Sequence, residues 1–340
     1  MSDERSGMAP SGEEVSEALR RCWQPVARVE ELRSGPKRAV ILGQALAVFL
    51  TESGAPAVVA DRCPHRGASL SIGTVCGEAL QCAYHGWQWD GRDGTCVRVP
   101  SLADQGQIPP GARVKCYPAR EQWGLVWSAL ESPVGDLPQV PWLAQGEWQL
   151  GHGESFELPV SLGVMLENYR DVAHFAFVHR QTLEMPEQVE PLQVERDGST
   201  VEMTRAMVAG DGIEEIWGTL RRIRYLTHAP NFASGHMQTT TGERCLLHAA
   251  RAVSATESAH YWLAGVTEDY EYGLEEVIAS EEQLYAEDRP VVSTVEPAEL
   301  SLDSASELST LADRFTLAYR DAFACFVRTA LEDENLNARA

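Results

Sequence analysis

The stretch "CPHRGASLSIGTVCGEALQCAYHGW", residues 63–87, determines how the first third of this sequence is interpreted. It contains two pairs of possible metal ligands, Cys63 with His65 and Cys82 with His85, each close to a glycine. Structural zinc sites usually place cysteine pairs before histidine pairs. The mixed order found here is typical instead of a [2Fe–2S] cluster in which one iron binds two thiolates and the other two imidazoles. A zinc-stabilised binding module remains the alternative.

The same residues carry a family resemblance. The segments "CPHRGASLSIG" and "CAYHGWQWD", with "RRCWQPVARVEEL" before them and "YPAREQWGLVWSAL" after them, resemble the Rieske domain of the Rieske non-heme iron oxygenases. The resemblance implies that Cys63 and Cys82 bind one iron of the cluster, and that His65 and His85 bind the other. We therefore expect a small antiparallel β domain that carries one electron at a time.

Neighbouring positions narrow the type of cluster. Respiratory Rieske proteins have an additional cysteine in each cluster loop, and Ala68 and Tyr84 stand at those positions here. The resemblance is therefore to the oxygenase and ferredoxin branch. Cys76 and Cys96 also lie near the loops, but buried thiols are common in protein cores, and we interpret both as small core residues.

Composition limits the partners of this chain. Its 340 residues include 28 Lys and Arg against 50 Asp and Glu, a formal charge of −22. Such an acidic protein repels phosphate backbones and anionic lipid, so we expect neither nucleic acid nor a membrane surface as a partner. No apolar run is long enough to span a bilayer, and no secretory h-region is visible. We expect a cytoplasmic protein whose eight cysteines are thiols or metal ligands.

The pattern along the chain predicts an α+β protein with two domains. Residues 1–20 read as a polar N-terminal tail. Short strand-like runs separated by Gly, Pro and Asp predict the small antiparallel Rieske domain over 21–131. A Pro- and Gly-rich linker follows over 132–148. Residues 149–340 predict a catalytic domain with helices packed on an antiparallel sheet, its helices near 163–179, 274–288 and 304–334.

A second group of polar residues lies in "GVMLENYRDVAHFAFVHRQTLE", residues 163–184. Asn168, Asp171 and His174 recur at three-residue intervals, which brings them to one drifting stripe of a helix. His179 would lie about 140° away from His174 on an ideal helix. The two imidazoles can therefore meet at one metal only if the helix ends or bulges between them.

The resemblance gives this second group a role. It implies that His174 and His179 bind a mononuclear Fe(II) together with one carboxylate, a ligand set that leaves positions open for O2. The segment "LADRFTLAYRDAF" points to Asp313 as that carboxylate, with Asp303 and Asp321 as alternatives. This segment departs from the family where Asp321 replaces the second arginine of a Tyr-Arg-Arg run.

The resemblance also implies how electrons reach the iron. Asp171 stands where the family bridges the iron-bound histidine to a cluster histidine of a neighbouring subunit, with Asn168 close by. A carboxylate between two metal-bound imidazoles can orient both rings. Because the family transfers electrons between subunits of a head-to-tail ring, we expect a homotrimer.

The predicted function is that of the terminal oxygenase in a multicomponent Rieske system. It uses O2 and electrons from an external NAD(P)H-dependent reductase, with a ferredoxin as an optional intermediary, because the chain has no dinucleotide-binding fingerprint of its own. A chain of this length resembles the α-only members that hydroxylate, or remove O- or N-methyl groups from, a small aromatic or heterocyclic molecule. The alternatives are an aromatic-ring cis-dihydroxylating dioxygenase and a Rieske electron carrier without oxygenase chemistry.

Overall fold

The protein is described by a computed structural model that defines residues 8–183, 185, 187, 193–206 and 220–337. The chain divides into an N-terminal unit, Leu19–Leu137, and a C-terminal unit, Pro138–Ala340 together with Met1–Ala18. The expected linker is therefore shared between the units, and its 3₁₀ turn Pro141–Ala144 buries Trp142 in the second. The expected polar tail contains helix α1, Gly12–Leu19, while residues 1–7 lie outside the described part.

The described part of the N-terminal unit consists of short strands, one helical turn and a 3₁₀ turn at Gln105–Gln107. The strands and the helical turn are β1 (Gln24–Arg28), α2 (Val29–Leu32), β2 (Lys37–Ile41), β3 (Gln44–Leu50), β4 (Pro56–Ala60), β5 (Thr74–Cys76), β6 (Ala79–Gln81), β7 (Gln88–Asp90), β8 (Cys96–Arg98), β9 (Cys116–Tyr117), β10 (Ala119–Gln122) and β11 (Leu125–Ser128). Three antiparallel sheets result, with strand orders β1-β11-β10, β2-β3-β4-β9 and β5-β6-β7-β8. The small antiparallel β domain predicted from the sequence is confirmed.

Strand β3 explains how so small a unit is stabilised. Successive side chains of a strand point to opposite faces. Ala47 and Phe49 pack in one apolar core, and Leu46 and Val48 pack in a second core on the other face. This is why β3 has an almost continuous apolar sequence. The first of these cores also contains two of the predicted cluster ligands, which are thereby anchored to the rigid part of the unit.

One large antiparallel sheet dominates the C-terminal unit. Its strands are β12 (Gln149–His152), β13 (Phe156–Leu158), β14 (Gln193–Asp197), β15 (Thr200–Ala206), β16 (Leu220–His228), β17 (Phe232–Thr239), β18 (Glu243–Ala252) and β19 (Ser258–Val266). The order is β12-β19-β18-β17-β16-β15-β14, and β13 also pairs with β19. Every residue of β19 is buried, so both faces of this strand are covered.

Four helices accompany this sheet in the described residues. They are α3 (Leu162–Asn168), α4 (Phe175–Val178), α5 (Leu274–Val292) and α6 (Arg314–Asn337). Helix α5 packs on β12 and β19, α6 packs on β14 and β15, and α3 contacts both helices. This arrangement is the predicted one, with helices on an antiparallel sheet. No helix in the described ranges is long and apolar enough to cross a lipid bilayer.

Two of the predicted helices differ from those observed. The stretch 163–179 is not continuous, because α3 ends at Asn168 and α4 starts only at Phe175. The last helix begins at Arg314 rather than near residue 304. Leu308 was assigned to its apolar stripe, but its side chain is fully exposed. An apolar residue that precedes a helix can fall at helical spacing by chance, because periodicity does not show where the helix begins.

Candidate metal centres

Two loops of the N-terminal unit carry the predicted cluster ligands. The loop between β4 and β5 contains Cys63 and His65, and the loop between β6 and β7 contains Cys82 and His85. Both cysteines are 2% exposed and belong to the same apolar core. The centroids of the two imidazole rings are 4.6 Å apart. The fold thus brings the two Cys–His pairs, nineteen positions apart in the sequence, to one place.

The two loops close in the same way. The amide of Gly67 donates to the carbonyl of Cys63 at 2.8 Å, and the amide of Gly86 donates to the carbonyl of Cys82 at 3.0 Å. Both glycines have a positive φ, 76° and 70°, in the left-handed region that other residues rarely adopt. The two loops therefore use the same turn, although His65 is the third residue of its turn and His85 is the fourth. The glycine that follows each histidine in the sequence is required by this turn.

The His65 ring is prepared to act as a neutral ligand. Burial, and then the nearby His85 and Arg66, lower the pKa of His65, which keeps the ring uncharged. Its Nδ1 atom is buried and has no hydrogen-bond partner in the described structure. The ring also stacks on Trp87, with centroids 4.5 Å apart and planes 11° from parallel. A fixed, neutral imidazole with an unused nitrogen is the form that binds a metal ion.

A second centre lies in the C-terminal unit, where His174, His179 and Asp288 converge. The Nε2 atoms of the two histidines are 3.3 Å apart. Asp288 Oδ1 lies 3.4 Å from Nε2 of His174 and 3.2 Å from Nε2 of His179. Ligands that share one ion at bond lengths of about 2.0–2.2 Å have such separations. Two imidazoles and one carboxylate on a common face are the ligand set of non-heme Fe(II) oxygenases.

The two histidines flank the single turn of α4, with His174 at its N-cap and His179 at its C-cap. The helix therefore ends before His179, as the spacing of the histidines requires. A separate break precedes His174. There Asp171 follows the end of α3 and accepts a hydrogen bond from the amide of Ala173 at 2.8 Å, which closes a tight turn.

A carboxylate contacts Nδ1 of each of these two histidines and so orients the ring. Asp171 Oδ2 lies 3.3 Å from Nδ1 of His174, and Glu287 Oε2 lies 2.8 Å from Nδ1 of His179. Glu287 in turn accepts a hydrogen bond from the hydroxyl of Thr182. Carboxylate partners of this kind fix the ring and raise its basicity. Asn168 donates to Asp288 Oδ1 at a long 3.5 Å, so it contacts the centre but does not bridge it.

The electrostatics of this centre favour a cation. Burial would lower the pKa of His174, but its hydrogen bonds to Asp171 and Asp288 outweigh this and raise the pKa to about 9. Burial would also raise the pKa of Asp288, but His174 and His179 outweigh it and lower the pKa. With Glu287 included, three carboxylates surround two imidazoles. The excess negative charge is suited to a divalent metal ion.

The structure does not bring Asp313, the carboxylate predicted from the sequence, to this centre. Its carboxylate accepts hydrogen bonds from the amide and hydroxyl of Thr310, at 2.5 and 2.9 Å, and caps the 3₁₀ turn that precedes α6. Asp303 and Asp321, the alternatives, are both exposed. Asp288 on α5 is the carboxylate that meets the histidines. In the segment "LADRFTLAYRDAF", Asp313 stands where the family resemblance places the iron-binding carboxylate, but its role here is to stabilise the 3₁₀ turn.

Both units match known protein families. Residues 22–118 match the model of the Rieske [2Fe-2S] domain, and residues 159–328 match that of the vanillate O-demethylase oxygenase C-terminal domain. Methylxanthine N1-demethylase NdmA of Pseudomonas putida is 30% identical over 320 residues, which cover 89% of this chain and 88% of that protein. This chain belongs to the Rieske non-heme iron oxygenases.

Solved structures agree with this assignment of the oxygenase. The structure of the Pseudomonas putida CBB5 NdmA QL mutant with theobromine superposes with a TM-score of 0.78 at 26% identity, covering 94% of this chain and 96% of that one. Dicamba monooxygenase bound to dicamba shares the fold, with a TM-score of 0.71 at 20% identity over 95% of this chain and 99% of that one. The predicted family and fold class are confirmed.

The function and cofactors predicted from the sequence are confirmed at the level of the family. The oxygenase is the terminal component of a system that uses O2 and electrons from an NAD(P)H-dependent reductase, and it acts on small aromatic or heterocyclic molecules. Its cofactors are a [2Fe–2S] cluster and a mononuclear iron. The residues fit both groups: His65 offers an unused buried nitrogen in the first unit, and the three converging donors form a facial set in the second.

A cavity of about 60 Å³ adjoins the mononuclear centre of the oxygenase. Its wall is formed by the three converging donors and by largely aromatic and apolar side chains, among them Phe175, Leu183, Tyr225, Met237, Leu246 and Leu284. The same wall also contains four further polar or charged side chains, which are Asn168, Arg170, His248 and Glu281. The cavity therefore lies directly beside the metal-binding face.

Sequence analysis missed the part of α5 that serves this centre. Glu281, Tyr285 and Asp288 lie at i, i+4 and i+7, on the buried stripe that includes Val277 and Val292. Glu281 forms a buried ion pair with Arg244 on β18, and the Tyr285 hydroxyl lies 2.7 Å from Nδ1 of His248 on the same strand. The sequence did contain a sign of this site, since two acidic residues, Glu281 and Asp288, recur on the apolar stripe of α5. Acidic residues at such buried positions need a partner.

Proposed function

We propose that this oxygenase removes a methyl group from oxygen or nitrogen of a small aromatic or heterocyclic molecule. The observation that carries this proposal is the facial set of His174, His179 and Asp288 beside a small cavity, a ligand set suited to inserting oxygen into a bound molecule. Similarity to a methylxanthine N1-demethylase supports the same reaction class.

The iron, when bound, supplies the activation of O2. Asp171 and Glu287 hold the two imidazoles with Nε2 directed at the position that the iron would occupy. The side chains of Phe175, Leu246 and Leu284 exclude water on one side of the cavity and would place the methyl group beside that position. One oxygen atom of O2 is inserted into a C–H bond of the methyl group. The other leaves as water, with two electrons and one proton from NAD(P)H and a second proton from solvent. The hydroxymethyl group then leaves as formaldehyde, and its hydroxyl proton passes to the substrate oxygen or nitrogen that had carried the methyl group.

Turnover with ¹⁸O-labelled O2 tests this reaction. The holoenzyme would be supplied with a reductase, NAD(P)H and panels of methoxybenzoates and N-methylxanthines, and the products analysed by mass spectrometry. We expect one formaldehyde per NAD(P)H consumed and a demethylated product that carries no label, because its heteroatom comes from the substrate. A His174→Ala variant, which keeps the cluster loops unchanged, is the control for uncoupled NAD(P)H oxidation. A product with two labelled oxygen atoms would show a dioxygenase instead.

We further propose that the oxygenase functions as a cytoplasmic homotrimer in which electrons pass between subunits. The cysteines of the cluster are buried, whereas His85 is exposed and the neighbouring Tyr84 is 65% exposed. The side chain of Asp171, which holds His174, is also one-third exposed. Both ends of a histidine–carboxylate–histidine connection are thus accessible to another subunit. Free cysteines and the need for NAD(P)H support a reducing compartment.

Hybrid assemblies test the route of the electrons. Cys63→Ser removes a cluster ligand and His174→Ala removes an iron ligand, so each variant alone is expected to be inactive. Co-expressed with different affinity tags and purified through both, the two variants should recover turnover, because an intact cluster of one subunit can serve the intact iron site of the next. Native mass spectrometry should give three 37.4 kDa chains. A Cys63→Ser with Cys82→Ser hybrid is the matched control and should stay inactive. Absence of recovery in the first hybrid would contradict transfer between subunits.

A further inference from the structure

A buried guanidinium forms part of the cavity beside the mononuclear centre. Arg170 lies in the turn between α3 and α4, four positions before His174, and it is 4% exposed. Its Nη1 donates to the carbonyl of Tyr169 at 2.7 Å. Its Nε and Nη2 are buried and have no hydrogen-bond partner among the described residues. Because buried polar groups are almost always paired in native proteins, two unused donors on one side chain need an explanation.

Glu281 acts on the charge of Arg170 electrostatically, but no carboxylate of the described residues forms an ion pair with it. Glu281, which lines the same cavity, forms its ion pair with Arg244. Asp288 contacts the two histidines. The face of Tyr225 lies 4.7 Å from the Arg170 guanidinium carbon and gives a cation–π contact. This contact offsets part of the cost of burying the charge but satisfies neither of the free N–H groups.

Glu281 and Asp288 also line the cavity, but the two groups beside Arg170 suit a hydrogen-bond acceptor. Burial, with Arg170 and His260 acting in the same direction, lowers the pKa of His248 well below its ordinary value, so this ring adds no competing charge. The Tyr169 hydroxyl, which also lines the cavity, is buried without a hydrogen-bond partner in the described structure. A cation, a neutral ring and a free hydroxyl are complementary to a group that only accepts hydrogen bonds.

The unused donors have a defined geometry. Nε and Nη2 lie on one edge of the planar guanidinium and point in parallel, which matches the two oxygens of a carboxylate. A single carbonyl oxygen or ring nitrogen of a neutral heterocycle can satisfy only one of them. We propose that Arg170 binds a carboxylate of the substrate through Nε and Nη2. The preferred substrates are then methylated aromatic or heterocyclic carboxylates, which rests on the proposed demethylase function.

The expected effect is on binding and can be measured without turnover. The metal-loaded holoenzyme would be titrated with acetate, acetamide, benzoate and benzamide, and the midpoint of thermal unfolding recorded. Each pair has nearly the same size and differs in charge. We expect both carboxylates to raise the midpoint and both amides to leave it unchanged, because ligand binding to the native state stabilises it.

Three variants make the test specific to this side chain. Arg170→Met should abolish the shift with carboxylates and weaken benzoate binding by about tenfold or more, the loss of charge-assisted hydrogen bonds. Without ligand, its midpoint should be equal to or higher than that of the parent, since an unpaired buried charge is removed. Arg170→Lys keeps the charge without the fork and should bind benzoate with intermediate affinity. Arg251→Met is the matched control, because Arg251 is also buried over a tyrosine ring, at 5.5 Å, but is bonded to the Tyr261 hydroxyl and does not line the cavity.

The outcomes separate this inference from the proposed reaction. Three results would each overturn the role of Arg170. The first is a carboxylate-induced rise in the unfolding midpoint that is undiminished in Arg170→Met and Arg170→Lys. The others are equal rises with the amides, or no rise with either carboxylate in the parent protein. None of these results bears on demethylation, which the labelled-O2 experiment decides. Conversely, a product with two labelled oxygens would overturn demethylation and leave the carboxylate site standing.

Discussion

Replacing Asp288 with alanine is expected to abolish turnover while the [2Fe–2S] cluster stays in place. Asp288 is the carboxylate within 3.2–3.4 Å of both histidine Nε2 atoms, so its removal leaves two ligands and an uncompensated site. Removing a residue that only supports a metal ligand already lowers metal affinity or activity by about 10–100-fold. Removing a ligand itself should therefore lower activity by more than about 100-fold. Iron content should fall by one atom per chain, and the visible absorbance of the cluster should not change.

Asp313→Ala is the matched control for this prediction. It also removes a carboxylate, from a capping position that costs about 0.5–2 kcal/mol of stability when lost. The cap is formed with Thr310 and lies outside the metal-binding group. Iron content and turnover should therefore be retained, with a lower midpoint of thermal unfolding. If Asp313→Ala lost the iron and Asp288→Ala kept it, Asp288 would not be the ligand.

Replacing Cys82 with serine is expected to remove the cluster and with it all reductase-dependent turnover. Cys82 is 2% exposed in the apolar core of the N-terminal unit, and its loop is closed on Gly86. A serine oxygen is a much poorer ligand than a thiolate for an iron–sulfur cluster. The visible absorbance and acid-labile sulfide should be lost, and the mononuclear site should still take up iron.

Cys96→Ser controls for the general cost of a hydroxyl in this core. Cys96 is 4% exposed and packs in the same core, and its Sγ contacts the carbonyl of Arg98 at 3.6 Å. Its substitution should destabilise the unit modestly and leave the absorbance intact. Loss of the cluster in Cys96→Ser as well would mean that the core, not the ligand, determines the result. Colourless protein from both the parent and Cys96→Ser would favour a zinc site.

The parts of the molecule that could be predicted from sequence are those encoded over short distances. The cluster loops place ligand and turn residues within a few positions, so Cys63, His65, Cys82 and His85 could be named together as a prediction. The alternation of short strands likewise identified the β domain. Within residues 163–179 the helical period of about 100° per residue required a break, but it gave no location for that break. The structure has two interruptions, a turn at Asp171 that separates α3 from α4 and the end of α4 at His179.

The carboxylate of the mononuclear centre could not be predicted because it lies more than a hundred positions from the histidines. Many acidic residues of the C-terminal segment are solvated, and sequence similarity favoured Asp313, which is followed by arginine as Asp288 is. Only tertiary packing distinguishes them: α5 brings Asp288 under the sheet, whereas Asp313 caps a turn. Arg170 was overlooked for a similar reason, since an arginine in a polar segment is usually exposed.

The buried stripe of α5 limits how this family member can change in length. Glu281, Tyr285 and Asp288 bind partners on β18 and on the histidine segment, so all three must face inward together. Inserting or deleting one residue between Glu281 and Asp288 would rotate the carboxylate by about 100° and move it about 1.5 Å along the helix axis. Gaps are thus tolerated in the exposed connections before residue 274 and after residue 292, but not inside this interval. The seven-residue spacing from Glu281 to Asp288 is a more reliable guide to the corresponding carboxylate in a diverged chain than its distance from the histidines.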